Sequence, residues 1–224
     1  GLKGELYPAI IYANDKYSAT IHTNAKERLE VPSFDPSCLP PEIELMDYDM
    51  VARNTTTSGY PTVRAASRYR VGSFFFEICI DKLDQGGFLL IGIGSLNMPE
   101  NREYMPSEKY NSYAYSAAGE LFALGEVVSA GHEHYQAGDK VGLICNLDKG
   151  VLTFYLNSRQ TGEIRNLSPH MEYCPFVVFG NGMFQVTINR IPQIGKIFAM
   201  HEKQSVESKV SRADNFVHPD HEPE

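Results

Sequence analysis

The stretch Gly138-Asp139-Lys140-Val141-Gly142-Leu143-Ile144-Cys145-Asn146-Leu147-Asp148-Lys149-Gly150-Val151-Leu152-Thr153-Phe154-Tyr155-Leu156-Asn157 decides the fold class. Gly138-Asp139 starts a strand, and the apolar run Val141 to Leu147 is answered by the β-rich run Val151 to Leu156. Between them, Asp148-Lys149-Gly150 offers a short polar loop with Gly at a left-handed position, a common hairpin closure. Asn157-Ser158 then turns the chain again. Two adjoining strands this apolar need cover on a face, which predicts a sheet inside a sandwich and not on a rim.

Working outward, Phe74, Phe76, Ile78 and Ile80 alternate with Phe75, Glu77 and Cys79, a strand period. Asp84-Gln85-Gly86-Gly87 is a turn, and Phe88 to Gly94 returns as a strand. Ile43 to Met46, Met50 to Arg53, Thr62 to Ala65 and Glu120 to Leu124 read as shorter strands. Asp47-Tyr48-Asp49 turns, and Asn54 to Gly59 is a polar surface loop. Asn97 to Asn111 is a long polar loop with two prolines, of the kind that carries function in compact domains. Ser129 to Gln136 is another loop, and Gln160 to Ile164 reads as a turn.

These segments, in this order, resemble the SPRY domain family. The carriers are Gly72-Ser73-Phe74-Phe75-Phe76-Glu77-Ile78, Phe88 to Gly94, Ser112-Tyr113-Ala114-Tyr115 to Gly119, the Gly138–Asn157 core, and Tyr173-Cys174-Pro175-Phe176-Val177 leading to Ile188. The resemblance covers roughly residues 42–190. It implies an all-β, SPRY-type antiparallel β-sandwich of two sheets with concanavalin-like jelly-roll character and a short polar tail. The family commonly places Trp in this region, and this chain has none; Phe74 and Ile93 stand in its place, an exchange that a core accepts if volume is made up nearby.

Residues 1–24 carry an internal echo. Pro8, Ile10, Ile11, Tyr12, Asn14, Tyr17, Thr20 and Ile21 align without a gap on Pro175, Val177, Val178, Phe179, Asn181, Phe184, Thr187 and Ile188. One reading makes 1–24 a β-hairpin ending a preceding SPRY copy, in a fragment of a tandem protein. The other makes it a strand pair padding the sandwich. Residues 25–41 are a Pro-rich connector, 42–190 the domain, and 191–224 a tail or linker, acidic and poor in large apolar side chains from about His201.

Composition narrows the function classes. Hydrophobic residues are 42% and charged residues 21%, so a packed core is expected. The net charge of −8 argues against nucleic acid, which needs a basic face, and suits basic partners. No apolar run approaches the ~20 residues that span a bilayer, so no membrane insertion by this segment is expected. Cys38, Cys79, Cys145 and Cys174 form no Cys-x-x-Cys pair. Reduced, structural cysteines and a cytoplasmic location are expected from them. Asn54-Thr55-Thr56 and Asn166-Leu167-Ser168 match the glycosylation sequon by chance.

Gly92-x-Gly94 lacks the third glycine and helix of a dinucleotide loop, and close packing explains it better. His132-Glu133-His134 and His218-x-x-His221 do not bring the ligand number a metal needs. Asp139 and Asp148 sit where backbone hydrogen bonding uses a carboxylate. No nucleophile elbow or flanked catalytic Cys occurs. No enzyme activity, cofactor or metal is therefore expected.

The resemblance implies a non-catalytic interaction module that binds a peptide or partner surface through loops at one end of the sandwich, within a larger multidomain protein. Such modules serve in ubiquitin ligases, large channels and scaffolds. By position, the partner-binding residues it implies are Arg53, Asn54, Thr55, Tyr104, Asn181 and Gly182. The alternative is a structural subunit of a large assembly, anchored by its terminal segments.

Overall fold

The computed structural model describes residues 33–95 and 110–189. The expectations for residues 1–24, for 191–224 and for Tyr104 lie outside the described residues, as does the connector before Ser33. Among the described residues there are thirteen strands, one 3-10 turn (Pro36–Cys38) and no α-helix. The strands are β1 (Ile43–Met46), β2 (Val51–Asn54), β3 (Thr62–Arg64), β4 (Ser73–Leu83), β5 (Phe88–Ser95), β6 (Tyr113–Ser116) and β7 (Leu121–Ala123). They continue as β8 (Glu126–Ser129), β9 (Lys140–Asn146), β10 (Val151–Leu156), β11 (Arg159–Arg165), β12 (Tyr173–Gly180) and β13 (Phe184–Ile188).

They form two antiparallel sheets, β1-β2-β13-β4-β9-β10-β11 and β3-β12-β5-β6-β7-β8. The predicted hairpin is β9–β10, with Cys145 opposite Leu152 and Leu143 opposite Phe154. Gly150 closes it at φ +62°. Asn157 and Ser158 are both left-handed, as a two-residue turn into the next strand requires.

Alternation explains the packing. In β4, Phe74, Phe76, Ile78 and Ile80 are buried and meet Leu143, Cys145, Leu152 and Phe154 from their own sheet and Leu89, Ile91, Ile93, Val177 and Phe179 from the other. Strands β5 and β12 are buried on both faces. Leu90, Phe176 and Val178 join a second apolar cluster with Ala114, Phe122 and Cys174, which is why these strands read as continuous apolar runs. Phe74 stacks on Tyr69 at 3.8 Å and Ile93 is fully buried, so both residues standing in for Trp belong to the core. Phe34, within the sequence's connector 25–41, also packs in the core and bridges to Ala65 beside β3.

Two strands differ from the sequence reading. Gln160 to Ile164 is not a turn but the middle of β11, and β8 had no counterpart in the pattern. Between these edge strands stands His132. Its Nδ1 lies 2.7 Å from the Thr161 carbonyl and donates to it, and its Nε2 is hydrogen-bonded to the Ser129 hydroxyl at 2.8 Å. The ring thus clasps one sheet edge to the other.

All four cysteines are free, with Cys145 and Cys174 buried. Burial pushes the Cys145 thiol up to about 12. It pushes Cys174 up to about 11, partly offset by Arg64 and Arg68. An unfolded thiol titrates near 9.0. The folded chain therefore holds these protons longer than the unfolded chain. Stability from the neutral thiols is complete below the unfolded value and is lost as pH rises through the folded ones. At about pH 8, iodoacetamide is expected to label half-buried Cys38 first and Cys79 more slowly. Cys145 and Cys174 should label only after denaturation, as read by peptide mass spectrometry; labelling of Cys145 in the folded chain would contradict this account.

Candidate functional site

Strand direction sorts the loops into two ends. β4 enters the Asp84–Gly87 turn and β5 leaves it, so Phe88 lies at one end and Ser95 at the other. The same end as Asp84 carries the β12–β13 turn, because Phe184 pairs with Leu83 and Gly180 with Phe88. It carries the β2–β3 loop, because Arg53 pairs with Gln185. It also carries the β6–β7 turn, since Ser116 pairs with Leu90.

A chain of hydrogen bonds ties three of these loops into one rim. Asn54 is 1% exposed. Its Nδ2 donates to the Thr56 carbonyl at 2.6 Å and to the Gly182 carbonyl at 2.7 Å, while its Oδ1 accepts from Thr56 N at 3.1 Å. The next link is Met183 N, which donates to Asp84 Oδ2 at 2.8 Å. Asn181 is left-handed at φ +58°, which Asn tolerates, and stays exposed. A Cβ at Gly180 would stand 2.6 Å from the half-buried Tyr60 ring, so a larger residue there requires that ring to move.

The sequence-implied residues thus separate by role. Arg53 is half exposed and pairs with Glu44 across β1–β2 at 2.5 Å. Thr55 is exposed and anchors to the Glu42 carbonyl through both N and Oγ1. Gly182 is buried behind Asn181. Asn54 is the internal brace of the rim, and a side chain so enclosed cannot accept a glycan in the folded chain. The structure brings these five together. Tyr104 lies outside the described residues.

Sequence reasoning missed the open groove beside the rim. It has a volume of about 600 Å³ and lies between the Asp84–Gly87 turn, Ala117-Ala118, and His134 to Ala137. The last segment is held against the β6–β7 turn by Tyr135 N to the Ala117 carbonyl and His132 N to the Gly119 carbonyl. Tyr135 is buried beneath it, and its hydroxyl is shared between the Leu89 and Tyr115 carbonyls at 2.7 and 3.1 Å. Burial raises the Tyr135 phenol well above its ordinary range, so it is a fixed donor and not an acid. Asp139 accepts from Gln136 N and Asn157 Nδ2, and Asp148 from Gly72 N. Both carboxylates serve the backbone and hairpin turns. No group of three metal-ligating side chains occurs among the described residues.

The SPRY domain family model matches residues 73–191. The chain belongs to the SPRY family. SPRY domains are protein–protein interaction modules, and the two-sheet sandwich is theirs. The SPRY domain of human HERC1 superposes with a TM-score of 0.57 at 17% identity, over 70% of this chain and 96% of that one. The PSpry domain of TRIM65 gives 0.54 at 15% identity, over 70% and 88%. Stonustoxin gives 0.56 at 12% identity, over 70% of this chain and 27% of the toxin chain. At these identities the likeness is one of fold.

Proposed function

We propose that this SPRY domain is a non-catalytic module that captures a peptide or partner surface at the braced end of the sandwich, within a larger multidomain protein. The observation that carries the reading is the Asn54–Gly182–Met183–Asp84 chain of hydrogen bonds. It fixes three loops from distant parts of the sequence into one preformed edge beside an open groove. A rigid edge lowers the ordering cost of binding, which is what a recognition surface needs. The four free thiols suit a reducing, cytoplasmic setting.

Site-specific photo-crosslinking tests the reading. A benzophenone side chain is placed in the full chain at Thr55, Gln85 or His134, all exposed at the braced end. For comparison it is placed at Tyr48, Val71 or Val128, which are exposed elsewhere. Partner adducts should concentrate at the first three positions. Adducts concentrated at Tyr48 and Val71 would move the site to the other end and sink the proposal.

A further inference from the structure

The groove has a chemical character that its place in the fold does not dictate. Asp84 is the one carboxylate in its lining, and no Lys or Arg lines it. A carboxylate accepts about four hydrogen bonds. Asp84 receives one within hydrogen-bond distance, from Met183 N on Oδ2. Its other oxygen has Lys82 Nζ at 3.6 Å, too long for a hydrogen bond and between half-exposed side chains, so that pair contributes little. Oδ1 is thus held in place by the backbone bond to its neighbour yet remains available as an acceptor.

The rest of the lining suits an extended chain. Gly86, Gly87, Ala117, Ala118 and Ala137 keep the walls low, so a partner main chain can approach closely. Gln85, His134 and Gln136 have no side-chain hydrogen-bond partner among the described residues. They offer donors and acceptors to a strand that arrives with its own unpaired. An acidic segment would meet Asp84 with like charge, offset only by the half-exposed Lys82 beside it. A cationic one would also be drawn by the net charge of −8.

We infer that the groove takes a lysine or arginine side chain of an extended partner segment, with Asp84 as its counter-ion. The inference rests on the proposed function above and names the chemistry of the partner. Arginine is the better fit, since its guanidinium reaches Oδ1 and still donates to the neighbouring amide side chains.

The test uses the full chain and a positional-scanning pool of acetylated, amidated hexapeptides. Wild type should select Lys or Arg at one position. Asp84→Asn keeps an oxygen for Met183 N and so preserves the rim, as an unchanged melting temperature should show. It should weaken the selected peptides several-fold. Raising salt from about 50 to about 500 mM should weaken wild type more steeply than Asp84→Asn, whose remaining salt dependence comes from the overall negative charge. Ala118 is exposed, so Ala118→Trp fills the groove without disturbing the core; it should abolish selection. Peptides chosen with no basic position, lost in Ala118→Trp yet equal in Asp84→Asn, would overturn the inference and leave the module's site intact. Failure of Ala118→Trp to affect any selected peptide would overturn both.

Discussion

Replacing Gly92 by alanine is expected to cost at least about 3 kcal/mol. Gly92 lies in β5, opposite Ala114 on one side and Phe176 on the other. A Cβ built there stands 2.0 Å from the Tyr113 carbonyl oxygen and 2.7 Å from Ala114 Cα. Both are backbone atoms of the neighbouring strand, so no side chain can swing aside. The methyl can be housed only by parting β5 from β6, which breaks ladder bonds in the middle of a sheet. A fall in melting temperature of about 10 °C follows. Gly86→Ala is the control. Nothing lies within 4 Å of its Cβ, but its φ of +73° is left-handed, so about 1 kcal/mol is expected. Equal, small shifts for the two variants would refute the close-approach explanation. The same contact gives Gly92 a packing role that needs no nucleotide.

What the sequence made legible follows from how much each element buries. β13 and most of β4 alternate because one face meets the core, and a period of two survives in the sequence; β9 is buried from Val141 to Cys145, with Ile144 covered by Phe75 and Tyr155 on the outer face, and so reads as an apolar run. β5 and β12 are apolar throughout because both faces are covered. β8 is different. Glu126, Val127 and Val128 are exposed and Ser129 half-buried, so the strand leaves no alternation to read. The cue was the left-handed pair Leu124-Gly125, a two-residue hairpin turn whose glycine is the only sequence signal. β11 is an edge strand in which only Ile164 is buried, and its polar run passes for a turn.

The candidate site was legible by address and not by role. A polar Asn54-Thr55 after a strand reads as surface loop, and its local turn to Thr56 N is a short-range pattern. The bond that buries Asn54 goes to Gly182, 128 residues away. Nothing in the local pattern carries such a pairing. The groove was hidden for the same reason, since its walls come from three separated turns and are made mostly of glycine and alanine. Small residues in turns are ordinary in sequence, and they become a feature only when the fold sets them side by side.

The second large effect is expected at Asn54. Asn54→Ala removes both donors that serve the Thr56 and Gly182 carbonyls and the acceptor for Thr56 N. The bond to Gly182 is buried and the two to Thr56 are partly so, so the stranded Gly182 carbonyl is poorly rehydrated and the loss should be about 2 kcal/mol. Asn54→Asp separates hydrogen bonding from size. It keeps an acceptor for Thr56 N but turns oxygen toward the Thr56 and Gly182 carbonyls. The carboxylate is then buried against two dipoles of the same sign, and Asp should be no better than Ala despite its near-identical shape. Thermal unfolding ranks the three chains. The functional consequence is separable from the fold. In Asn54→Ala the β12–β13 turn loses its tie to the β2–β3 loop while Asp84 still holds Met183 N. Amide exchange should therefore quicken at Thr56 more than at Met183. Partner capture at the braced end should weaken even at temperatures where the variant is fully folded, because Asn54 positions the rim without touching what binds there. Unchanged capture by a folded Asn54→Ala chain would mean that the rim need not be rigid, and the preformed edge would no longer explain recognition.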